Sequence, residues 1–177
     1  MSYAVLLHFD LHTESVINEV IDLLATQINP IEPLPPGFRP HITLTGFDPP
    51  FPTGLMERLE ETARTAAPIP IHLAAVGAFP GDQCVVFLAL AANPELMKLH
   101  EKISRILAEM GVDSNPNFMA GTWVPHCSVA YNLNLEQACR AVQFCLKSQV
   151  YNQGALVSLG VTEFLPIKDL CIYPLGR

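Results

Sequence analysis

The sequence is poor in charge. Only 15% of its 177 residues are Asp, Glu, Lys or Arg, and ten are basic. Long nucleic acids are held largely through Lys and Arg contacts to phosphates. Ten basic residues spread along a chain of net charge −7 and pI about 5.2 make no such footprint. A long duplex or strand is therefore not an expected partner, whereas a small nucleotide or the end of a short RNA is within reach of a few local donors. Long apolar runs are missing too. The longest, Cys84 to Ala92, is too short to cross a bilayer as a helix, and no membrane partner is expected. No basic residue precedes the apolar N-terminal stretch, which meets Asp10 early, so it reads as a first strand and not a signal peptide. A cytoplasmic location is the expectation. The five cysteines, Cys84, Cys127, Cys139, Cys145 and Cys171, include no C-x-x-C pair and leave one unpaired in any full pairing. Reduced thiols are expected, without a disulfide framework or zinc knuckle. What the chain does have is apolar content: 50% hydrophobic residues and a mean hydropathy of +0.29. That is the reverse of a disordered composition. The length suits one domain or two intimate lobes with a real core, favoured here as a monomer.

Periodicity predicts eleven elements. Tyr3 to Phe9 is β-rich and reads as a buried strand. A helix over about 13–28 places Val16, Val20, Leu24 and Ile28 on one face. The segment 29–37 holds four prolines and a glycine, which exclude regular structure. A strand over 40–47 follows, then a Pro-rich turn, then a helix capped by Thr53 and running to about Ala66. Ile69 to Phe79 and Cys84 to Leu90 read as strands joined at Pro80-Gly81-Asp82. Asn93-Pro94 starts a helix that Gly111 stops. After a polar loop over 113–122, Val124 to Tyr131 reads as a strand. Asn134 with Gln137 resembles a capping box for a helix to about Lys147. A final hairpin joins 155–164 to 169–173. Strands linked both by helices and by hairpins suggest an α+β fold with mixed or antiparallel sheets.

One pentapeptide occurs twice in related form. Residues 40–44 read Pro-His-Ile-Thr-Leu and residues 125–129 read Pro-His-Cys-Ser-Val. Each opens a predicted strand. Side chains alternate faces along a strand, so His41 shares a face with Thr43, and His126 with Ser128. Ile42, Leu44, Cys127 and Val129 then face a core. Phosphodiester displacement needs one group to take a proton from the nucleophile and another to protonate the leaving oxygen. Histidine suits both roles near neutral pH. Hydroxyl donors nearby can bind non-bridging oxygens. Two such pairs facing one cleft would supply this set without a metal or cofactor.

At these residues the chain resembles the 2H phosphoesterase superfamily, which includes the LigT-like 2′-5′ RNA ligases and cyclic phosphodiesterases. Two H-x-S/T motifs, each followed by an apolar residue, define that family. His41-Ile42-Thr43-Leu44 and His126-Cys127-Ser128-Val129 match them. The resemblance implies two similar lobes related by a pseudo-twofold axis, each a mainly antiparallel sheet with flanking helices, around a central groove. Residues 1–177 would form that one two-lobed unit. It further implies acid/base catalysis by His41 and His126, phosphate binding by Thr43 and Ser128, and action on a 2′,3′-cyclic phosphate or a 2′-5′ linkage. The alternative is a non-catalytic nucleotide-binding module of the same fold. Many LigT-like members carry an arginine shortly after the second motif, where this chain has Tyr131. Arg39, two residues before His41, could supply that charge if the strand reaches back to it. Phe47, Phe118 and Trp123 are candidates for stacking on a base. His8, His12, His72 and His100 have no partner at metal-ligand spacing and read as structural or solvated. Cys127 should face the core and is not read as a nucleophile.

Overall fold

The structure, a computed structural model, describes residues 2–28, 34–148, 150, 153–164 and 166–176. The first five residues of the Pro-rich segment 29–37 lie outside them. The elements follow in the expected order: β1 (Tyr3–Phe9), α1 (Leu11–Gln27), β2 (His41–Phe47), α2 (Leu55–Thr65), β3 (Ile69–Phe79), β4 (Cys84–Leu90), α3 (Pro94–Glu109), β5 (His126–Leu133), α4 (Leu135–Lys147), β6 (Gln153–Glu163) and β7 (Lys168–Pro174). A single 3-10 turn, Pro116–Phe118, lies in the loop before β5.

Local chemistry explains the helix ends, including two that differ from expectation. α1 begins two residues early because Asp10, which closes β1, is also its cap. Its Oδ1 accepts from the Thr13 N–H at 3.0 Å and its Oδ2 from the Thr13 hydroxyl at 2.8 Å. The same carboxylate accepts the Ala155 N–H at 2.7 Å and so ties the helix start to β6. Thr53 does not cap α2. The residue before that helix is Gly54, at φ +83° with no side-chain cap, a left-handed conformation that glycine adopts without a steric cost. α3 and α4 start as expected. The Asn93 side chain accepts from the Leu96 N–H at 3.0 Å, and Asn134 and Gln137 cap each other reciprocally.

The strands form one seven-stranded sheet in the order β2-β1-β6-β3-β4-β5, with β7 also on β6, and every pairing is antiparallel. The connectivity repeats: β1-α1-β2-α2-β3 and then β4-α3-β5-α4-β6. Each half lends its last strand to the other. β6 pairs with β1, and β3 pairs with β4, so β2-β1-β6 and β5-β4-β3 are matching three-strand sets. They meet where Ile69–His72 pair with 153–156. The two lobes are therefore interlocked by covalent crossover as well as by packing. Core residues from both, among them Leu7, Ile42 and Leu44 on one side and Leu88, Ile103 and Cys127 on the other, belong to one hydrophobic cluster.

Candidate active site

The two motif strands behave as a period-two reading requires. On β2, His41 and Thr43 are half-buried while Ile42 and Leu44 are fully buried. On β5, His126 and Ser128 are half-buried while Cys127 and Val129 are buried. A second correspondence was not legible in the sequence. In the β1–β2 ladder Val5 faces Thr45 and Leu6 faces Thr43, so Leu44 has no opposite residue. In the β4–β5 ladder Val86 faces Ala130 and Phe87 faces Ser128, so Val129 has none. Each motif thus ends in a β-bulge at its fourth residue. Such bulges bend a strand and re-aim side chains beside functional sites.

The histidine rings are held in one way in both lobes. His41 Nδ1 lies 2.6 Å from the Arg39 carbonyl, and His126 Nδ1 lies 2.7 Å from the Val124 carbonyl. A carbonyl oxygen only accepts, so Nδ1 carries the proton in each ring. Nε2 is left as the nitrogen that can take or give a proton. The proline before each histidine accounts for the geometry. Pro40 and Pro125 have a fixed φ and disfavour the helical region at Arg39 and Val124. That turns the carbonyl two residues back toward the ring.

The ring surroundings are aromatic. His126 packs against Phe79, edge-on at 4.8 Å between centroids, and against Phe87 at 5.1 Å. Phe79 and Phe87 stack on each other at 4.3 Å. Gly77 makes this possible, because a Cβ there would collide with the Phe87 ring. His41 lies 5.4 Å from Phe38 and 6.5 Å from Phe164. Burial lowers the pKa of both histidines from the ordinary 6.5, against the raising effect of the carbonyl each one holds. His41 is lowered further by the charge of His126. That coupling, with the Cys127 thiol set against the His41 backbone, brings the two motifs to one place. Trp123 adds a strut: its indole N–H donates to the Thr43 carbonyl at 2.9 Å across the lobes.

The other candidates are placed as follows. Trp123 is buried with its ring stacked on His100 at 3.9 Å, so it packs the core and offers no face to a base. Phe47 is likewise core, against Tyr3 and Phe51. Neither stands in the site, because each aromatic ring found a core partner supplied by a distant element. Phe118 does reach it and lines a cleft of about 420 Å³ with His126, Ser128, Phe79 and Asn117. Tyr131 lies 6.5 Å from Phe38, which itself touches His41. Arg39 is not on the His41 strand face, since β2 begins at His41. Its guanidinium pairs with Glu14, with Nε 2.8 Å from both carboxylate oxygens and Nη2 at 2.7 Å. Its charge is therefore already matched.

His8 was read as structural, and it is buried, with Nδ1 3.3 Å from the Ser158 hydroxyl. It nevertheless sits opposite His41 in the ladder and shares a small cavity with it, Arg39 and Asp169. Burial first, then the Arg39 and His41 charges, lower its pKa to about 4. Cys127 is buried and its thiol pKa is pushed up to about 12, which leaves it inert. Among the described residues the cysteines are free thiols, no cluster of three or more His, Cys, Asp or Glu could hold a metal ion, and no helix is long and apolar enough to cross a membrane.

Comparison with known proteins places this geometry in a lineage. No curated protein matches the chain. Among solved structures, TT0787 of Thermus thermophilus superposes with a TM-score of 0.69 at 16% identity, covering 99% of this chain and 98% of that one. The LigT of E. coli in its apo form gives 0.65 at 14%, with the same coverage. Usb1 of Kluyveromyces marxianus with uridine monophosphate gives 0.57 at 12%, covering 98% and 97%. At such identities these likenesses establish the fold. The family described as the 2′-5′ RNA ligase superfamily matches residues 20–155, most of the chain and both motifs. This protein therefore belongs to the 2′-5′ RNA ligase superfamily of 2H phosphoesterases.

Proposed function

We propose that the protein is a metal-independent phosphodiesterase that acts on 2′,3′-cyclic phosphates or 2′-5′ phosphodiester bonds of nucleotides or RNA ends. Membership of the superfamily supports phosphodiester chemistry of the phosphodiesterase or ligase type in general. The observation that carries the finer reading is the duplicated histidine geometry. Two imidazoles on facing lobes each have Nδ1 spent on a carbonyl two residues back, so each offers Nε2 to a reacting oxygen. One neutral ring takes the nucleophile's proton and one protonated ring gives a proton to the departing ribose oxygen. Thr43 and Ser128, one residue beyond each ring's neighbour and on the same face, donate to the non-bridging oxygens. The 420 Å³ cleft beside His126, walled by Phe79 and Phe118, suits a nucleobase that stacks. Relatives of this fold have been seen with 3′-AMP, in E. coli LigT, and with uridine monophosphate, in Usb1. A 2′-5′ linkage would react by the same logic with the 3′-hydroxyl as nucleophile, and its reversal would be ligation.

The test is turnover of 2′,3′-cyclic nucleotides by wild type, His41→Ala and His126→Ala, with and without EDTA. Activity that survives EDTA and falls about 10²- to 10⁴-fold in each variant is expected. Loss of activity on chelation would instead point to a metallohydrolase. Nucleotide binding without turnover of either cyclic or 2′-5′-linked substrates would favour the non-catalytic module.

A further inference from the structure

The carbonyls that hold the two histidine rings are themselves held by different means. At the second motif the backbone does it. The Leu90 N–H of β4 donates to the Pro125 carbonyl at 3.2 Å, between Val124 and His126, and the Trp123 indole ties the residue before Val124 to Thr43. At the first motif no equivalent bond reaches Pro40 among the described residues. The β1–β2 ladder starts only at the His8–His41 pair. The backbone hydrogen bond within 34–40, from the Phe38 N–H to the Pro35 carbonyl at 3.0 Å, is internal to that segment. Among the described residues, the hydrogen bonds that join this stretch to a helix run from the Arg39 side chain to Glu14 on α1.

Glu14 is firmly placed. It lies in the first turn of α1, where the helix dipole favours a carboxylate. Its N–H donates to the Asp10 carbonyl at 2.9 Å, and the Asp10 carboxylate binds the N–H groups of Thr13 and Ala155. Arg39 Nε lies 2.8 Å from both Glu14 oxygens and Nη2 2.7 Å from one, with both side chains partly buried. A planar guanidinium fork of this kind fixes orientation as well as distance. Arg39 is thus clamped at its side chain, while its carbonyl holds His41 Nδ1 at 2.6 Å. The geometry points to a positioning role for the Glu14–Arg39 ion pair: it sets the carbonyl that fixes the tautomer of His41. The first turn of α1, remote from either motif in the sheet, then governs whether His41 Nε2 is free. Only the kinetic consequence rests on the phosphodiesterase reading above.

Which imidazole nitrogen is free depends on the bond the other one makes. Once Nδ1 is released, a share of the rings carries the proton on Nε2 instead, and those rings cannot take one there. The ring can also turn, and a misplacement of about 1 Å costs on the order of 10²-fold in rate. The Arg39 carbonyl raises the His41 pKa against burial, so its loss would lower that pKa further. His8, His126 and Asp169 are the other titratable groups that act on this ring or stand beside it.

The experiment records imidazole nitrogen-15 spectra at neutral pH for wild type, Glu14→Ala, Arg39→Ala and the exchanged pair Glu14→Arg with Arg39→Glu. The signals of His41 and His126 are assigned by their loss in His41→Gln and His126→Gln. Wild type should show Nδ1–H in both rings. Each single variant should give His41 a mixture of tautomers and leave His126 unchanged, and the exchanged pair should return His41 largely to Nδ1–H. On a 2′,3′-cyclic nucleotide the single variants should lower kcat about 10- to 10²-fold with KM within about twofold. The exchanged pair should recover most of that loss, and the limb of the pH profile set by His41 should move to lower pH in the single variants. Glu14→Gln and Arg39→Gln replace any alanine variant whose thermal melt shows it unfolded. An unchanged His41 tautomer in both folded single variants would overturn the positioning role. So would a raised KM in Arg39→Ala alone with no recovery in the exchanged pair, since Arg39 would then bind the phosphate directly. The predicted tautomer changes in a protein inactive toward 2′,3′-cyclic and 2′-5′-linked substrates would uphold the positioning role and refute the phosphodiesterase reading.

Discussion

Thr43 and Ser128 carry the least conspicuous part of the site. Each stands half-buried on the same face as its histidine. If they bind the phosphate, Thr43→Val or Ser128→Ala should lower kcat/KM on the order of 10²-fold, the scale set by loss of one transition-state hydrogen-bond donor. Thermal midpoints should hold within a few degrees, because neither hydroxyl belongs to the core. Steady-state kinetics with a parallel melt checks this. His8 makes the opposite kind of residue-scale statement. Its folded pKa of about 4 lies below the ordinary 6.5 because the fold buries the neutral ring. The unfolded chain then binds more protons across that window, so stability is fully present above pH 6.5 and is lost as pH falls toward 4. The shift corresponds to about 3 kcal/mol. Urea titrations across this range should show wild type losing about that much more stability than His8→Leu. Equal slopes would mean that His8 charges freely in the folded protein. Sequence alone showed His8 in a strand, but its neighbours Arg39, Ser158 and Asp169 arrive from three other segments, and the reason for its depression is in that assembly.

At the scale of elements, the site depends on a segment that carries no catalytic residue. The stretch from the 3-10 turn to Trp123 is pinned three ways. His100 on α3 donates through Nε2 to the Phe118 carbonyl at 2.8 Å, the Trp123 ring lies on the His100 ring, and the indole N–H reaches the Thr43 carbonyl. Phe118 is thereby held as a wall of the cleft, and the second motif's approach is tied to the first motif's strand. Trp123→Phe keeps an aromatic ring over His100 while removing the N–H bond and part of the buried ring volume. It should cost about 1–3 kcal/mol, from the lost hydrogen bond and the lost packing together, measured as a lower urea midpoint at constant m-value. A change of a few tenths would show that Thr43 does not rely on it. The elements themselves were legible because strand alternation, the Asn93 and Asn134 caps and the helical stripes are local signals. What misled was also local. Thr53 has the chemistry of a cap, yet Gly54 takes the left-handed position and the threonine is passed over. Trp123 and Phe47 looked able to stack on a base, but aromatic burial is decided by which distant surface needs filling.

At the scale of the whole molecule, the internal echo of Pro-His-x-hydroxyl-aliphatic proved to be the mark of a doubled architecture. Two β-α-β-α-β units exchange their last strands, each motif begins the outermost strand of its three-strand set, and each ends in a bulge at Leu44 or Val129. The echo and the order of elements could be read along the chain. The strand exchange and the bulges could not, since both are set by pairing between segments far apart in sequence. The central claim is that two histidines, both depressed by burial, share one acid/base cycle. The most direct test is the pH dependence of kcat/KM for a 2′,3′-cyclic nucleotide in EDTA. Catalysis requires one ring neutral and the other protonated, so the rate must fall on both sides of an optimum. With both pKa values below 6.5, the optimum should lie below that pH and the alkaline limb should begin there. A rate that climbs monotonically through neutral pH, with no alkaline limb, would contradict the account.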